Sequence, residues 1–109
     1  MLKINHHKIV KVANWWGDKF PLMACEEMGE LIQAISKVER SKPTHKSRYA
    51  LIYEVEDEQL RSNLVEELAD VAISVNAIAY RYNITDEELN KAIHKKLYSK
   101  MHQACGEGS

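Results

Sequence analysis

The stretch that most constrains this chain runs from Leu68 to Tyr80, where the only strongly polar residues are Asp70, Ser74 and Asn76. It lies inside a longer helical pattern, from about Gln59 to Tyr82. A helix that is apolar on nearly all sides must be surrounded, either inside a bundle or at a contact between subunits. No apolar run in the chain is long enough to span a bilayer, so the surroundings must be protein. At 109 residues and 12.6 kDa the chain is one domain, near the size at which a second subunit often helps to complete a core.

Three further helical segments accompany it. The first spans about Asn5 to Trp16, with Ile9, Val12, Ala13 and Trp16 at the spacing of one face and Gly17 placed to end it. Trp15 and Trp16 read as packing anchors, with stacking on a base as the alternative. The second begins after Pro21 and continues to about Arg40, with Cys25, Met28, Leu31, Ile32, Ile35 and Val38 as its apolar stripe. The last opens at Thr85 with Glu88 three residues on, a capping box, and carries Leu89, Ile93, Leu97 and Met101 at four-residue steps. Residues 41–59 read as a connection holding a short local element around Tyr49 to Val55, and 104–109 as a frayed tail. With 4 Gly, 2 Pro and 7% aromatic residues, the chain lacks the punctuation of an all-β protein. The expected fold is all-α and four-helix-bundle-like, completed by oligomerisation.

Charge excludes some partners. Fifteen basic residues stand against 16 acidic ones, and the pI of about 6.5 gives no global field toward a nucleic acid polymer or an anionic membrane. The segment MLKINHHKIV lacks the apolar core of a signal peptide, so the chain is expected in the cytoplasm. Cys25 and Cys105 then read as free thiols, and the Asn83-Ile84-Thr85 sequon as unglycosylated.

The chemistry is carried by acids. In CEEMGELIQAI, Glu27 and Glu30 fall along the edge of the apolar stripe, while Glu26 falls on the solvent side. In VEELAD, Glu67 and Asp70 repeat the spacing, with Ser74 one further turn along the same row. Four carboxylates gathered in apolar packing repel one another and raise one another's pKa unless something positive lies between them. Lys95, Lys96 and Lys100 could neutralise acids only singly. A divalent cation does it better, and an all-carboxylate set without His or Cys favours Mg²⁺, or Mn²⁺, over Zn²⁺. No Glu lies three residues before any of His6, His7, His45, His94 or His102, which counts against a carboxylate-bridged di-iron bundle. The histidines read as structural or surface residues.

The two motifs, Glu26-Glu27-Met28-Gly29-Glu30 and Glu67-Leu68-Ala69-Asp70, resemble the EExxE and ExxD signature of the MazG-like all-α nucleoside triphosphate pyrophosphohydrolases. The resemblance runs from about Trp16 to Met101. It implies Mg²⁺ ligation by Glu27, Glu30, Glu67 and Asp70, and cleavage of (deoxy)nucleoside triphosphates between the α and β phosphates to a monophosphate and pyrophosphate. It also implies a homodimer or homotetramer. Lys96 and Lys100 match the basic positions that such proteins place near the phosphates, the alternative being a solvated lysine face. Glu26 is either a catalytic acid, acting as base or behind the metal ligands, or an exposed acid favouring its helix N-terminus. Two departures stand out: the gap from Leu31 to Glu66 is longer than usual, and Met101 follows Lys100 where many members have Asn. Rival readings are a phosphoribosyl-ATP pyrophosphohydrolase-like enzyme and a non-catalytic helical interaction module with its acids paired to lysines.

Overall fold

The computed structural model describes residues 4–41 and 55–107. Among these the chain is all-α: α1 (His6–Trp16), a 3₁₀ turn (Gly17–Lys19), α2 (Phe20–Ser41), α3 (Glu58–Arg81) and α4 (Asp86–Glu107). Most of the 41–59 connection, with the Tyr49 to Glu54 part of its expected local element, lies outside the described residues.

Each boundary has a local cause. Asn5 caps α1, its Oδ1 accepting from the Lys8 N–H at 3.1 Å. Gly17 ends α1 at φ 54°, a conformation in which a Cβ would be strained, and its N–H donates to the Ala13 carbonyl. Pro21 sits in the first turn of α2, where its missing N–H costs nothing. Asp57 opens α3 by accepting from the N–H groups of Gln59 and Leu60 at 3.0 and 3.1 Å. At the other end of α3, Asn83 at φ 56° lets its own N–H reach the Tyr80 carbonyl at 3.1 Å and that of Ile84 reach Ala79 at 2.8 Å. This is the paired closure of a Schellman ending. The capping box of α4 forms as its sequence suggests: Glu88 N–H donates to Thr85 Oγ1 at 3.1 Å, and Thr85 N–H to Glu88 Oε1 at 3.4 Å. α4 continues to Glu107, so residues 104–107 extend the helix.

Helices α2 and α3 pack side by side, and α1 lies across α3. The Phe20 ring at the start of α2 meets Tyr82 at the end of α3, so the two run antiparallel. Ile9, Ala13, Trp16, Phe20 and Ala77 form the core, flanked by Ile4, Val12, Met23, Ile73 and Ile78. Ala24, Ala34, Ser74 and Ala77 are small residues that allow close approach of the helices, and all four are buried.

Three results differ from the sequence expectation. Trp16 is buried, but Trp15 is 78% exposed and anchors nothing within the chain. The buried face of α2 is turned in part from the stripe read in the sequence: Val38 is buried and Leu31 half-buried as expected, but Phe20, Ala24 and Ala34 point inward while Cys25, Met28, Ile32 and Ile35 are exposed. Apolar residues cover more of α2 than one neighbour can bury, and α3 takes the side rich in alanine, where the backbones can come closest. Finally, α4 packs against no other helix, so the compact unit within one chain is α1–α3. The radius of gyration is correspondingly 17.0 Å, against about 13 Å for a compact domain of this length.

Candidate metal centre

The inward side of α2 carries Glu27 between Ala24 and Ala34, with Glu30 one turn further on. The facing side of α3 carries Glu67 and Asp70, one turn before the fully buried Ser74. Antiparallel packing brings the two pairs level. One carboxylate oxygen from each of the four residues lies within 4.8 Å of all the others. Asp70 is held by its helix, and the Ser74 hydroxyl donates to its backbone carbonyl at 3.0 Å.

Nothing among the described residues neutralises the group. Among the described residues, no lysine, arginine or histidine pairs with any of the four acids. Glu27 Oε2 and Glu67 Oε2 are buried and have no hydrogen-bond partner. The electrostatic consequence is direct. The Glu27 carboxyl is pushed up from 4.5 to about 7, first by partial burial and then by the charge of Asp70, with Glu30, a hydrogen bond to Asp70 and Glu67 adding to it. Glu67 is raised for the same reasons, burial first and then the charges of Glu30 and Asp70.

The donor set fits a hard divalent cation. Mg–O bonds of about 2.1 Å place donors on opposite sides of one ion about 4.2 Å apart. A cluster with a 4.8 Å span therefore closes on such an ion with small side-chain adjustments. All four donors are carboxylate oxygens, the ligand type of Mg²⁺ and Mn²⁺.

The other residues singled out in the sequence lie elsewhere. Glu26 is exposed on the solvent side of α2. Lys96 and Lys100 are exposed on α4, lining one open groove with Ala92, Lys95, Ser99 and Gln103, and this chain does not bring them to its own acids. His6 packs edge-on against Tyr80 and His102 against Tyr98, and His45 lies outside the described residues. None of the described histidines joins the carboxylate group.

One feature escaped sequence reasoning. An open groove of about 550 Å³ is lined by Asn14, Phe20, Tyr80, Arg81, Tyr82 and Asn83, with the Arg81 guanidinium 5.1 Å above the Phe20 ring. Its walls come from α1, α2 and the end of α3, so no spacing within one helix announces it. No family model, no curated protein and no solved structure matches the chain.

Proposed function

We propose that the protein is a Mg²⁺-dependent nucleotide pyrophosphohydrolase, with Mn²⁺ able to substitute, cleaving nucleoside or deoxynucleoside triphosphates between the α and β phosphates. The observation that carries this reading is the convergence of Glu27, Glu30, Glu67 and Asp70 within 4.8 Å with no protein cation among them. Four acids held in this way lower the stability of the empty fold, a cost that makes sense where a cation and its phosphate ligand are bound. The motif resemblance supplies the reaction.

In this reading Glu27, Glu30, Glu67 and Asp70 hold the metal. Bound there, Mg²⁺ supplies Lewis acidity toward phosphate oxygens and a lowered pKa for water. The chain's own residues do the rest. The partly buried α2–α3 seam limits water around the carboxylates, and the Ser74 hydroxyl fixes the Asp70 backbone from behind. Glu27, as one of the four metal ligands, would be held ionised by the cation, so the proton that the attacking water loses as its oxygen bonds to phosphorus and the bridging P–O bond breaks goes to a group outside the ligand set. Glu26 lies outside the carboxylate group, on the solvent side of α2, and is the candidate to take that proton directly or through water. Lys96 and Lys100 are assigned to the phosphates.

The same reading includes a homodimer or homotetramer in which the four-helix arrangement is completed between chains. Val65, Leu68 and Val75 on α3, and Ile93, Leu97 and Met101 on α4, are all exposed in the single chain.

The test is turnover of nucleoside and deoxynucleoside triphosphates with and without Mg²⁺, reading monophosphate and pyrophosphate, for wild type and Asp70→Asn. Metal-dependent release of both products, lost in the variant, is expected. Release only from phosphoribosyl-ATP would redirect the assignment to that substrate. No release from any triphosphate, with no Mg²⁺ or Mn²⁺ uptake by calorimetry, would leave a non-catalytic interaction module.

A further inference from the structure

The run Tyr80-Arg81-Tyr82-Asn83 closes α3 and, with Asn14 and Phe20, lines the open groove of about 550 Å³ at the α1–α2 corner. Asn83, at φ 56°, turns the chain back over the last turn of α3 and so keeps its amide beside the two tyrosines. Phe20 is the floor. It is 5% exposed, with the Arg81 guanidinium 5.1 Å from its ring centre and the Tyr82 ring tilted against it at 5.8 Å.

Arg81 is exposed and, among the described residues, has no carboxylate partner. A guanidinium held over a ring keeps its edge N–H donors, and its outer face is a platform on which a second planar group stacks. Asn14 and Asn83 each add an amide, a donor and an acceptor side by side, the group that pairs with the edges of bases. None of the six lining residues is acidic. The groove therefore suits a planar ligand with hydrogen-bonding edges and repels a cationic one.

Helical phase ties the groove to the acid cluster. On α2, Phe20 and Glu27 are seven residues apart, which puts them within about 20° of one row. On α3, Arg81 and Asp70 are eleven residues apart, again within about 20°. Both features thus lie along the same seam, separated by about 10 Å on α2 and about 16 Å on α3 at about 1.5 Å of rise per residue. The Arg81 side chain leans toward the N-terminus of α3, which is the direction of the acids.

A nucleotide matches that separation. From an α-phosphorus through the ribose to the far edge of a base, roughly nine bonds reach about 11 Å at about 1.2 Å per bond. Metal–oxygen bonds at the phosphate end add about 2 Å each. We propose that the groove is the nucleobase subsite: with the phosphates at the four acids, the base lies on the Arg81–Phe20 stack and its edge is read by Asn14 and Asn83. The proposal rests on the pyrophosphohydrolase reading for the phosphate end, and on the groove alone for the base end.

Two measurements test it. First, calorimetry with Mg²⁺ compares the binding of α,β-methylene nucleoside triphosphates with that of inorganic tripolyphosphate, which has no base. In Arg81→Ala the preference for the nucleotide over tripolyphosphate should fall on the order of tenfold or more, the loss expected for one stacked base. Arg81→Lys keeps a cation at the helix end, where it offsets the dipole, but loses the planar stack, and should show a similar fall. Arg81 is exposed, so both variants should fold, and melting curves check this. An equal loss for both ligands, no loss in Arg81→Ala, full retention in Arg81→Lys, or no nucleotide binding by wild type overturns the proposal.

Second, nucleosides at millimolar concentration are titrated without metal while the amide resonances of Asn14, Tyr82 and Asn83 are followed. Saturating shifts that Arg81→Ala removes are expected. No such shift from any nucleoside overturns the subsite. This readout needs neither metal nor turnover, so an inactive wild type would refute the enzyme reading while the groove is judged on its own.

Discussion

The two ends of the α2–α3 seam use the same packing in opposite ways. Around Phe20 and Ala77 the helices close over α1, and every inward residue is apolar or small. Two turns along, the same faces carry Glu27, Glu30, Glu67 and Asp70, and two of their oxygens are buried with no partner. The first end supplies the stability that the second spends, and each can be perturbed without the other.

The sharpest break in this comparison is at the apolar end. Trp16→Ala should destabilise the fold by about 3–5 kcal/mol, as expected for truncating a core aromatic. Equilibrium denaturation measures the loss, and the divalent-ion affinity of the folded fraction should be unchanged. A loss under about 1 kcal/mol would mean that the Trp16 site collapses freely around the gap.

At the acid end, Glu27→Gln should lower metal-dependent turnover on the order of 100-fold or more. The same variant removes a repelled charge, so the metal-free protein should melt no lower than wild type. A lower melting temperature without metal would show that Glu27 serves stability instead.

The pH dependence separates the ends further. A carboxyl whose folded pKa is about 7 against 4.5 unfolded binds more protons in the folded state between those values. The metal-free fold therefore loses stability as pH rises from about 4.5 to 7, and Glu67, also raised, acts in the same direction. Melting curves across that window should slope downward without metal, flatten with saturating Mg²⁺ and flatten in part with Glu27→Gln. A flat metal-free curve would refute the assignment of strain to this cluster.

Two smaller effects calibrate the scale. Asp57→Ala removes the acceptor for two N–H groups at the start of α3 and should cost about 1 kcal/mol. Gly29→Ala should add about 0.5–1 kcal/mol, since Gly29 lies within α2 and an added Cβ meets nothing within 4 Å. Denaturation midpoints read both.

Much of the local structure was legible beforehand. The Thr85–Glu88 box, the Gly17 ending and the start of each helix to within two residues follow from cap chemistry that acts within a few residues, whereas the end of α4 at Glu107, beyond the expected frayed tail, did not. The grouping of Glu27 with Glu30, and of Glu67 with Asp70, follows from helical phase alone. The groove around Phe20 and Arg81 was not legible, because its walls come from three segments distant in sequence.

By itself, the sequence determined an all-α chain with two acid pairs on the inner sides of two long helices. A helix rotates each residue by a set angle from the last, so which side chains share a face is a local property. Only the tertiary structure decided which part of the broad apolar surface of α2 is covered, that Trp16 and not Trp15 enters the core, and that α4 stands apart from α1–α3. Those outcomes depend on which neighbour wins contact with a face wide enough for several, and a small-residue surface wins because backbones can approach it most closely.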